Sequence, residues 1–261
     1  IQGDFEVREF RATDQLPDIG SPDLTMVCVK AWQVRELREY LKRIAKSGSL
    51  ILPLQNGVMA VDELSETIDR ENIIGGLCRI ISKIEAPGVI NHLGVNPTII
   101  FGEVDGRKSQ RVNEIHQAFT KAGIESKVTD DIQAELWKKF MVICTSALLG
   151  ITKATYGEIR ELPETRNLMI DLISEIYHLS QKIGVNIEPD FVEKTVSFID
   201  TFPYDSTSSL TRDVWEGKPS EIEYQNGTVV KLGEKYGVDT PINRSVYQCT
   251  LLMERKSRGQ S

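Results

Sequence analysis

A lysine on an apolar helix face is the first feature of this sequence that could do chemistry. The run Trp137-Lys138-Lys139-Phe140 places two lysines among apolar residues. On a helix the two side chains point about 100° apart, and Lys139 shares its face with Ile143 and Ala147. Because desolvation disfavours an ammonium ion, Lys139 either extends to water on its aliphatic stem or lines a cleft where it can transfer a proton.

A second feature collects hydroxyls, a cation and acids in a short stretch. It contains Ser208-Ser209-Leu210-Thr211-Arg212-Asp213, followed by Gly217-Lys218-Pro219-Ser220-Glu221-Ile222-Glu223. One explanation is structural, because Ser220 can cap a helix that starts at Glu221, and Glu223 is favourable in the first turn of that helix. That explanation leaves the paired serines and the Arg-Asp pair unaccounted for, so the stretch remains a candidate binding site.

Polar residues also follow two predicted strands. The two segments are Val29-Lys30-Ala31-Trp32-Gln33 and Leu54-Gln55-Asn56-Gly57. In an open parallel sheet, ligands bind beyond the carboxyl ends of the strands. Ordinary strand-to-helix connections use the same residue types, so neither segment alone distinguishes a binding site from a turn.

The first half of the chain alternates short β-rich runs with helical patterns, which is typical of strand-helix units around a largely parallel sheet. The predicted strands are 24–30, 50–54, 73–84, 89–93 and 98–102, and the predicted helices are 34–45, 61–68 and 110–122. Two of these strands therefore end at the two polar segments.

The sequence changes character near Val128-Thr129-Asp130, where helical patterns replace strand patterns. We therefore predict a domain of residues 1–127 and a helical domain of residues 128–261. The predicted helices are one capped by Thr129 or Asp130 and running to about Ala147, then 167–184, 189–199, about 221–236, and one beginning near Pro241. The predicted architecture is an α/β domain joined to an all-α domain.

The composition disfavours several classes of partner. Of 261 residues, 40% are hydrophobic, which is enough for a substantial core. A net charge of −7 without a cluster of basic residues disfavours nucleic-acid binding. Because the chain lacks an apolar run of about 20 residues and a signal-peptide pattern, we expect a cytoplasmic protein that does not bind membranes.

Cysteine and histidine usage predicts no metal centre. The cysteines stand far apart in the sequence, without the close pairing of zinc sites or redox dithiols, at Cys28, Cys78, Cys144 and Cys249. The simplest expectation is free, buried thiols in a reducing cytoplasm. The histidines are scattered without a carboxylate constellation, at His92, His116 and His178.

Taken together and in this order, these segments resemble the ketopantoate reductase (2-dehydropantoate 2-reductase) family. The matching stretches are Val29-Lys-Ala-Trp-Gln33, Leu54-Gln-Asn-Gly57, Trp137-Lys-Lys-Phe140, Ser208-Ser209 with Asp213 and Glu221, and Gly237-Val-Asp-Thr-Pro241. The resemblance implies a partial Rossmann-like dinucleotide-binding domain followed by a helical domain. It also implies NADPH-dependent reduction of ketopantoate, or of a related 2-oxo acid or ketone, to the alcohol, as in pantothenate biosynthesis.

The resemblance also implies roles for individual residues. Lys139 would be the catalytic lysine, which donates a proton or hydrogen bond to the ketone oxygen, and Glu221 its acidic partner. The residues expected at the NADP(H) cofactor are Lys30, Gln33, Asn56 and Glu221. The residues expected at the substrate are Lys139, Ser209, Asn56, Ile143 and Ala147.

The sequence departs from the family pattern along the predicted substrate wall. The family has substrate-binding asparagines four and eight residues after the catalytic lysine, where this chain has Ile143 and Ala147. Tyr156 stands where the family has a further asparagine. Each lost hydrogen bond is worth about 0.5–3 kcal/mol. We therefore expect a 2-oxo acid or ketone with a larger apolar group than ketopantoate.

A second departure concerns the phosphates of the cofactor. The chain begins Ile1-Gln2-Gly3 and lacks the G-x-G-x-x-G turn that would hold the pyrophosphate at a helix N-terminus, so either the natural protein begins upstream of this chain or this region was removed. A second class of function stays open, namely a scaffold that binds a ligand or a protein without hydride transfer. The oligomeric state, a homodimer through the helical domain or a monomer, also stays open.

Overall fold

The computed structural model describes residues 6–15, 20, 22–45, 48–94 and 96–259, and the first residues, Ile1-Gln2-Gly3, lie outside this part. The chain divides into two compact units, an α/β unit and a helical unit. Unit 1 comprises Ile1–Val29, Gln33–Gln55 and Ala60–Ile132, and unit 2 comprises Lys30–Trp32, Asn56–Met59 and Gln133–Ser261. The predicted boundary at residues 127 and 128 stays a prediction.

Unit 1 begins with a strand-helix-strand motif. Strand β1 (Leu24–Val27) and strand β2 (Leu50–Pro53) pair in parallel, and helix α1 (Val34–Ala45) connects them. Helix α1 buries the apolar residues that recur at helical spacing, including Val34, Leu41 and Ile44, which pack in one core cluster with Ile51 of β2. The prediction of helix 34–45 is confirmed.

The remaining strands of unit 1 form a three-stranded sheet and a hairpin. Strand β3 (Ile74–Arg79) pairs antiparallel with β6 (Thr98–Glu103), which pairs in parallel with β7 (Glu125–Val128). The hairpin consists of β4 (Ser82–Ala86) and β5 (Val89–His92). Helix α2 (Ala60–Ser65) follows β2, and helix α3 (Gln110–Lys121) precedes β7. The prediction of a largely parallel sheet is therefore wrong for β3 and β6. Strand β7 was not predicted, because it has only four residues and most of them are polar.

Unit 2 is built from helices. Their bounds are α4 (Ile132–Cys144), α5 (Ser146–Thr152), α6 (Tyr156–Glu161), α7 (Pro163–Ile183), α8 (Phe191–Asp200), α9 (Ser209–Trp215), α10 (Asn226–Tyr236) and α11 (Pro241–Ser257). Helix α7 ends at Gly184, whose φ of 89° is the left-handed conformation that glycine adopts without strain. No helix in the described part of the chain is long and apolar enough to cross a membrane.

Two long helices of the prediction are interrupted in the structure. Helix α4 ends at Cys144 rather than near Ala147, and the Thr145 hydroxyl donates to the Val142 carbonyl, 2.7 Å away. The predicted helix 221–236 is a 3-10 turn over Ile222–Tyr224 followed by α10. In both places a side chain or a turn satisfies backbone groups that a continuous helix would have paired.

Two smaller predictions concern a helix cap and the cysteines. The Thr129 hydroxyl accepts from the Asp131 amide, which precedes α4, and the cap of that helix by Thr129 or Asp130 stays a prediction. The four cysteines lie outside disulfide bonds, as predicted, but Cys28 and Cys249 are exposed rather than buried. Cys144 is fully buried, and burial raises the pKa of its thiol well above the ordinary value.

Candidate active site

Lys139 lies on a helix whose neighbouring residues are buried. Trp137 and Phe140 are 3% and 1% exposed and contact each other edge to face. Lys139 is half-buried, and its Nζ donates to Asn56 Oδ1, 2.8 Å away. Of the two alternatives for this lysine, the structure therefore has the ammonium bound to a polar side chain of unit 2.

A tight backbone turn presents Asn56 to the lysine. Gly57 has a φ of 104°, and a Cβ at this position would lie 2.9 Å from the Tyr224 carbonyl oxygen. Only glycine fits both the conformation and the close approach. Asn56 donates its Nδ2 to Glu221 Oε2 at 3.1 Å, so the two ends of its amide are held by two different partners.

Glu221 supplies a buried carboxylate. The residue is 5% exposed, and its Oε1 accepts from the Ala31 backbone amide at 3.0 Å. Its own carbonyl accepts from the amides of Tyr224 and Gln225 at 3.0 Å each, which builds the turn that follows it. A buried carboxylate is stable only when hydrogen bonds compensate its desolvation, and the two donors provide that compensation.

These residues form a hydrogen-bonded chain from an ammonium through an amide to a carboxylate. An ammonium carries three N–H donors, of which one is directed to Asn56. Such an arrangement can stabilise negative charge that develops on a ligand oxygen, because the cation is held in place before the ligand arrives. The chain of Lys139, Asn56 and Glu221 is therefore a candidate centre for proton transfer.

Lys30 lies in the same unit as these residues and makes an ion pair. Its Nζ is 2.8 Å from Asp213 Oδ2 in α9, and 5.7 Å from the centroid of the Trp32 ring. The Lys30 side chain is 40% exposed and that of Asp213 is 20% exposed. Part of this cation remains accessible, so it could contact an anionic group while paired.

The other predicted site residues are distributed differently. Ser209 is the exposed first residue of α9, whereas the preceding Ser208 caps that helix by accepting from the Thr211 amide at 3.1 Å. Ile143 is half-buried on α4. Ala147 lies in α5 with 0% exposure, so it offers no surface to a substrate in this structure. Gln33 is half-buried and belongs to unit 1.

Tyr156, which stands at an expected asparagine position, is a buried side chain. Its hydroxyl lies 3.3 Å from the Thr145 hydroxyl, at the interruption between α4 and α5. Burial raises the pKa of Tyr156, so the phenol is neutral at physiological pH.

Sequence reasoning missed one partner in this site. The Ala31 amide donates to Glu221, but a backbone group carries no signal in the identity of its side chain. At the end of β2, Gln55 donates to the carbonyls of Val27 and Val29 at 2.7 and 3.2 Å. Its buried Oε1 has no hydrogen-bond partner among the described residues. Within the same part of the chain, no group of three or more metal-ligating side chains could hold an ion.

The sequence matches models and members of one known protein family. A family model described as Ketopantoate reductase PanE/ApbA matches residues 1–106, and a model of the C-terminal part of the same family matches residues 131–254. The 2-dehydropantoate 2-reductase of Aquifex aeolicus is 30% identical over 263 residues, which cover 94% of this chain and 81% of that protein.

Solved structures show the same fold. The 2-dehydropantoate 2-reductase of Geobacter metallireducens is 26% identical, with a TM-score of 0.88 over 97% of this chain and 84% of that one. D-mandelate dehydrogenase, solved with NADH and anilino(oxo)acetate, is 20% identical, with a TM-score of 0.83 over 92% of this chain and 78% of that one. At that identity the likeness concerns the fold alone.

Proposed function

The chain belongs to the ketopantoate reductase family of oxidoreductases, and from this premise we propose that it reduces a 2-oxo acid or related ketone to the alcohol with NADPH. The observation that carries the proposal is the hydrogen-bonded chain of Lys139, Asn56 and Glu221. It holds a cation in place, and a positioned cation stabilises the negative charge that develops on a ketone oxygen during reduction.

In the proposed reaction, Lys139 acts on the ketone oxygen. Its ammonium donates a hydrogen bond or a proton as the oxygen becomes an alkoxide, and such positioned proton transfer contributes about 10²- to 10⁴-fold. Asn56 keeps the ammonium oriented by accepting one of its N–H groups. Glu221 holds Asn56 in turn, so the carboxylate acts on the lysine through the amide.

The proposal places Asn56 at the nicotinamide end of the cofactor, which supplies the hydride when bound, and the Asn56 amide is already oriented by Lys139 and Glu221. Lys30 has the positive charge that suits an anionic part of the cofactor or substrate. NADP(H) as the cofactor, with Lys30, Gln33, Asn56 and Glu221 at it, is part of the proposal.

We further propose an apolar substituent on the substrate. Ile143 follows Lys139 by one helical turn, shares its face and is half-buried, so it can present an alkyl surface near the reacting lysine. A substrate that carries an alkyl or aryl group would bury it there, whereas the hydroxyl of ketopantoate would lose a hydrogen-bond partner.

The test pairs two adjacent lysines. Lys139→Ala should lower kcat for 2-oxo acid reduction by about 10²- to 10⁴-fold. Lys138→Ala is the matched control, because Lys138 lies on the same helix but pairs with Glu188 at 3.0 Å. Turnover is followed by NADPH oxidation with ketopantoate and with bulkier alkyl and aryl 2-oxo acids.

Two outcomes would contradict the proposal. Equal turnover by the two lysine variants would remove Lys139 from the mechanism. A wild-type protein that binds NADPH but oxidises it with none of these substrates would instead support a scaffold that binds ligands without hydride transfer. A clear preference for ketopantoate over bulkier substrates would contradict the apolar substituent alone.

A further inference from the structure

We propose that Asn226 is a positioning residue, which ties the end of the helix that carries Lys139 to the turn that carries Glu221. The inference rests on the proposed function, since it concerns the geometry of the same site. Asn226 contacts none of the reacting groups in the structure, so its effect on the reaction would pass through other residues.

The first contact of Asn226 is with the end of α4. Its Nδ2 donates to the carbonyl oxygen of Cys144 at 3.2 Å. Cys144 is the last residue of α4 and follows Lys139 by little more than one helical turn. The last carbonyls of a helix lack partners within the helix, so a buried donor at this point fixes where the helix ends.

The second connection runs along the backbone to Glu221. Asn226 is the first residue of α10 and lies two residues after the 3-10 turn that the Glu221 carbonyl closes. Gln225, between the turn and α10, has φ and ψ of −107° and −104°, which redirect the chain at this point. A shift of Asn226 would therefore displace both α4 and the Glu221 turn.

A buried network anchors Asn226 to two further helices. Its Nδ2 also donates to Asn243 Oδ1 at 2.9 Å. Asn243, in α11, donates to the Leu172 carbonyl at 3.1 Å and to Glu175 Oε2 at 2.7 Å, both in α7. Asn226 and Asn243 are each 0% exposed, so water does not compete for these hydrogen bonds.

The Nδ2 of Asn226, rather than its Oδ1, makes the hydrogen bonds at this position. Asn226 Oδ1 is buried and has no hydrogen-bond partner among the described residues. A buried, unpaired carbonyl destabilises a fold, whereas the Nδ2 pairs two buried acceptors that an apolar side chain would leave without a donor. The directed Nδ2 is therefore the property that the position uses.

The experiment compares Asn226→Leu, which keeps the volume and removes the donor, with Ile199→Ala, which perturbs a fully buried residue of α8, a helix that contributes no residue to this network. Asn226→Leu should lower kcat by about 10- to 100-fold with little change in KM, because small misplacements of reacting groups are costly. In a Lys139→Ala background it should cause no further loss. Ile199→Ala should leave kcat unchanged while lowering Tm.

A second readout does not depend on turnover. Lysines are dimethylated with ¹³C, and the Lys139 resonance is identified by its absence in Lys139→Arg. This resonance should move in Asn226→Leu and stay in place in Ile199→Ala. If Asn226→Leu does not fold, Asn226→Ala, which also removes the donor, provides the same comparison.

The outcomes separate the two proposals. An unchanged Lys139 resonance together with an unchanged kcat would overturn the positioning role. A further loss in the Lys139→Ala background equal to that in the wild type would also overturn it, because Asn226 would then act independently of the lysine. A resonance that moves in a protein without reductase activity would contradict the proposed function and support the positioning role.

Discussion

Asn56 connects the two charged residues of the candidate site, and its amide makes their positions interdependent. Lys139 donates to its oxygen and Glu221 accepts from its nitrogen, so neither end of the amide can be reversed without placing like groups together. The Glu221 carboxylate has a second donor in the Ala31 amide. The orientation of the lysine thus depends on residues that do not contact it directly.

Glu221→Gln tests this dependence. A glutamine has one acceptor where the carboxylate has two, so its N–H groups would face either the Ala31 amide or the Asn56 Nδ2. We expect kcat to fall by about tenfold or more, because each misdirected buried donor costs about 1–3 kcal/mol. Steady-state kinetics and thermal unfolding measure the effect.

Glu216→Gln is the control for this prediction. Glu216 pairs with Lys218 on the surface, where both side chains are more than half exposed and such pairs contribute little. If Glu221→Gln behaved like Glu216→Gln in both kinetics and stability, the carboxylate would have no part in orienting Asn56.

Among the elements, the turn after β2 has the strictest geometric requirement. Gly57 combines a φ of 104° with a close approach to the Tyr224 carbonyl. Gln55 fixes the start of the turn by donating to the carbonyls of Val27, the last residue of β1, and of Val29. The turn therefore tolerates little change in its backbone.

Gly57→Ala should cost stability and also disturb the site. An alanine would be strained at this φ, by about 1 kcal/mol or more, and its Cβ would push against Tyr224. We expect a lower Tm and a kcat lowered by about tenfold or more, since Asn56 would be displaced.

Gly184→Ala is the control that separates backbone strain from the collision with Tyr224. Gly184 has a φ of 89°, but no atom lies within 4 Å of the place that an alanine Cβ would take, so alanine there adds conformational strain without a collision. We expect a lower Tm in both variants and a lower kcat in Gly57→Ala alone. Equal kcat in the two would show that the approach to Tyr224 does not position Asn56.

The elements also show where periodicity predicts well and where it does not. Helix α1 has a strong apolar face and matches its predicted range, 34–45, at both ends. The helix of Lys139 was predicted to continue to about Ala147, since apolar residues continue beyond Cys144. Its end depends on Thr145, which bonds back to Val142, and on Asn226, a residue distant in sequence.

For the molecule as a whole, stability should depend on pH through its buried ion pairs. Glu103 of unit 1 is 3% exposed and accepts two hydrogen bonds from Arg111, at 2.7 and 2.6 Å. Burial acts to raise the pKa of Glu103, but the hydrogen bonds and charge of Arg111 outweigh it, and the pKa is lowered.

The lowered pKa fixes the direction of the pH dependence. The pair stabilises the fold fully above the unfolded pKa of about 4.3, and this contribution is lost as the pH falls through the lower folded value. Glu103→Gln should reduce the free energy of unfolding at pH 7 by about 2–3 kcal/mol. The difference from the wild type should shrink as the pH falls below about 4.

Urea unfolding followed by circular dichroism at several pH values measures this difference. Glu71→Gln is the control, because Glu71 contacts the neighbouring Arg107 but its side chain is 71% exposed. A difference between Glu103→Gln and the wild type that stays constant down to about pH 3 would mean that the pair is not the source of the pH dependence.

The sequence by itself determined the local structure, the family and the face on which Lys139 lies. These properties follow from side-chain periodicity and from the residues within a short segment, which set backbone conformation locally. The residue types show that the segments of Lys30, Asn56 and Glu221 are polar. They do not show that these three residues lie close together in the fold.

Only the tertiary structure decided which of these residues meet. Asn56 bonds to Lys139 and to Glu221 across 83 and 165 residues of chain, and Ala31 bonds to Glu221 across 190. It also decided that Ser208 rather than Ser209 caps α9 and that Ala147 is buried. Such contacts depend on how distant segments pack, because a hydrogen bond forms only where the fold brings donor and acceptor within about 3 Å of each other.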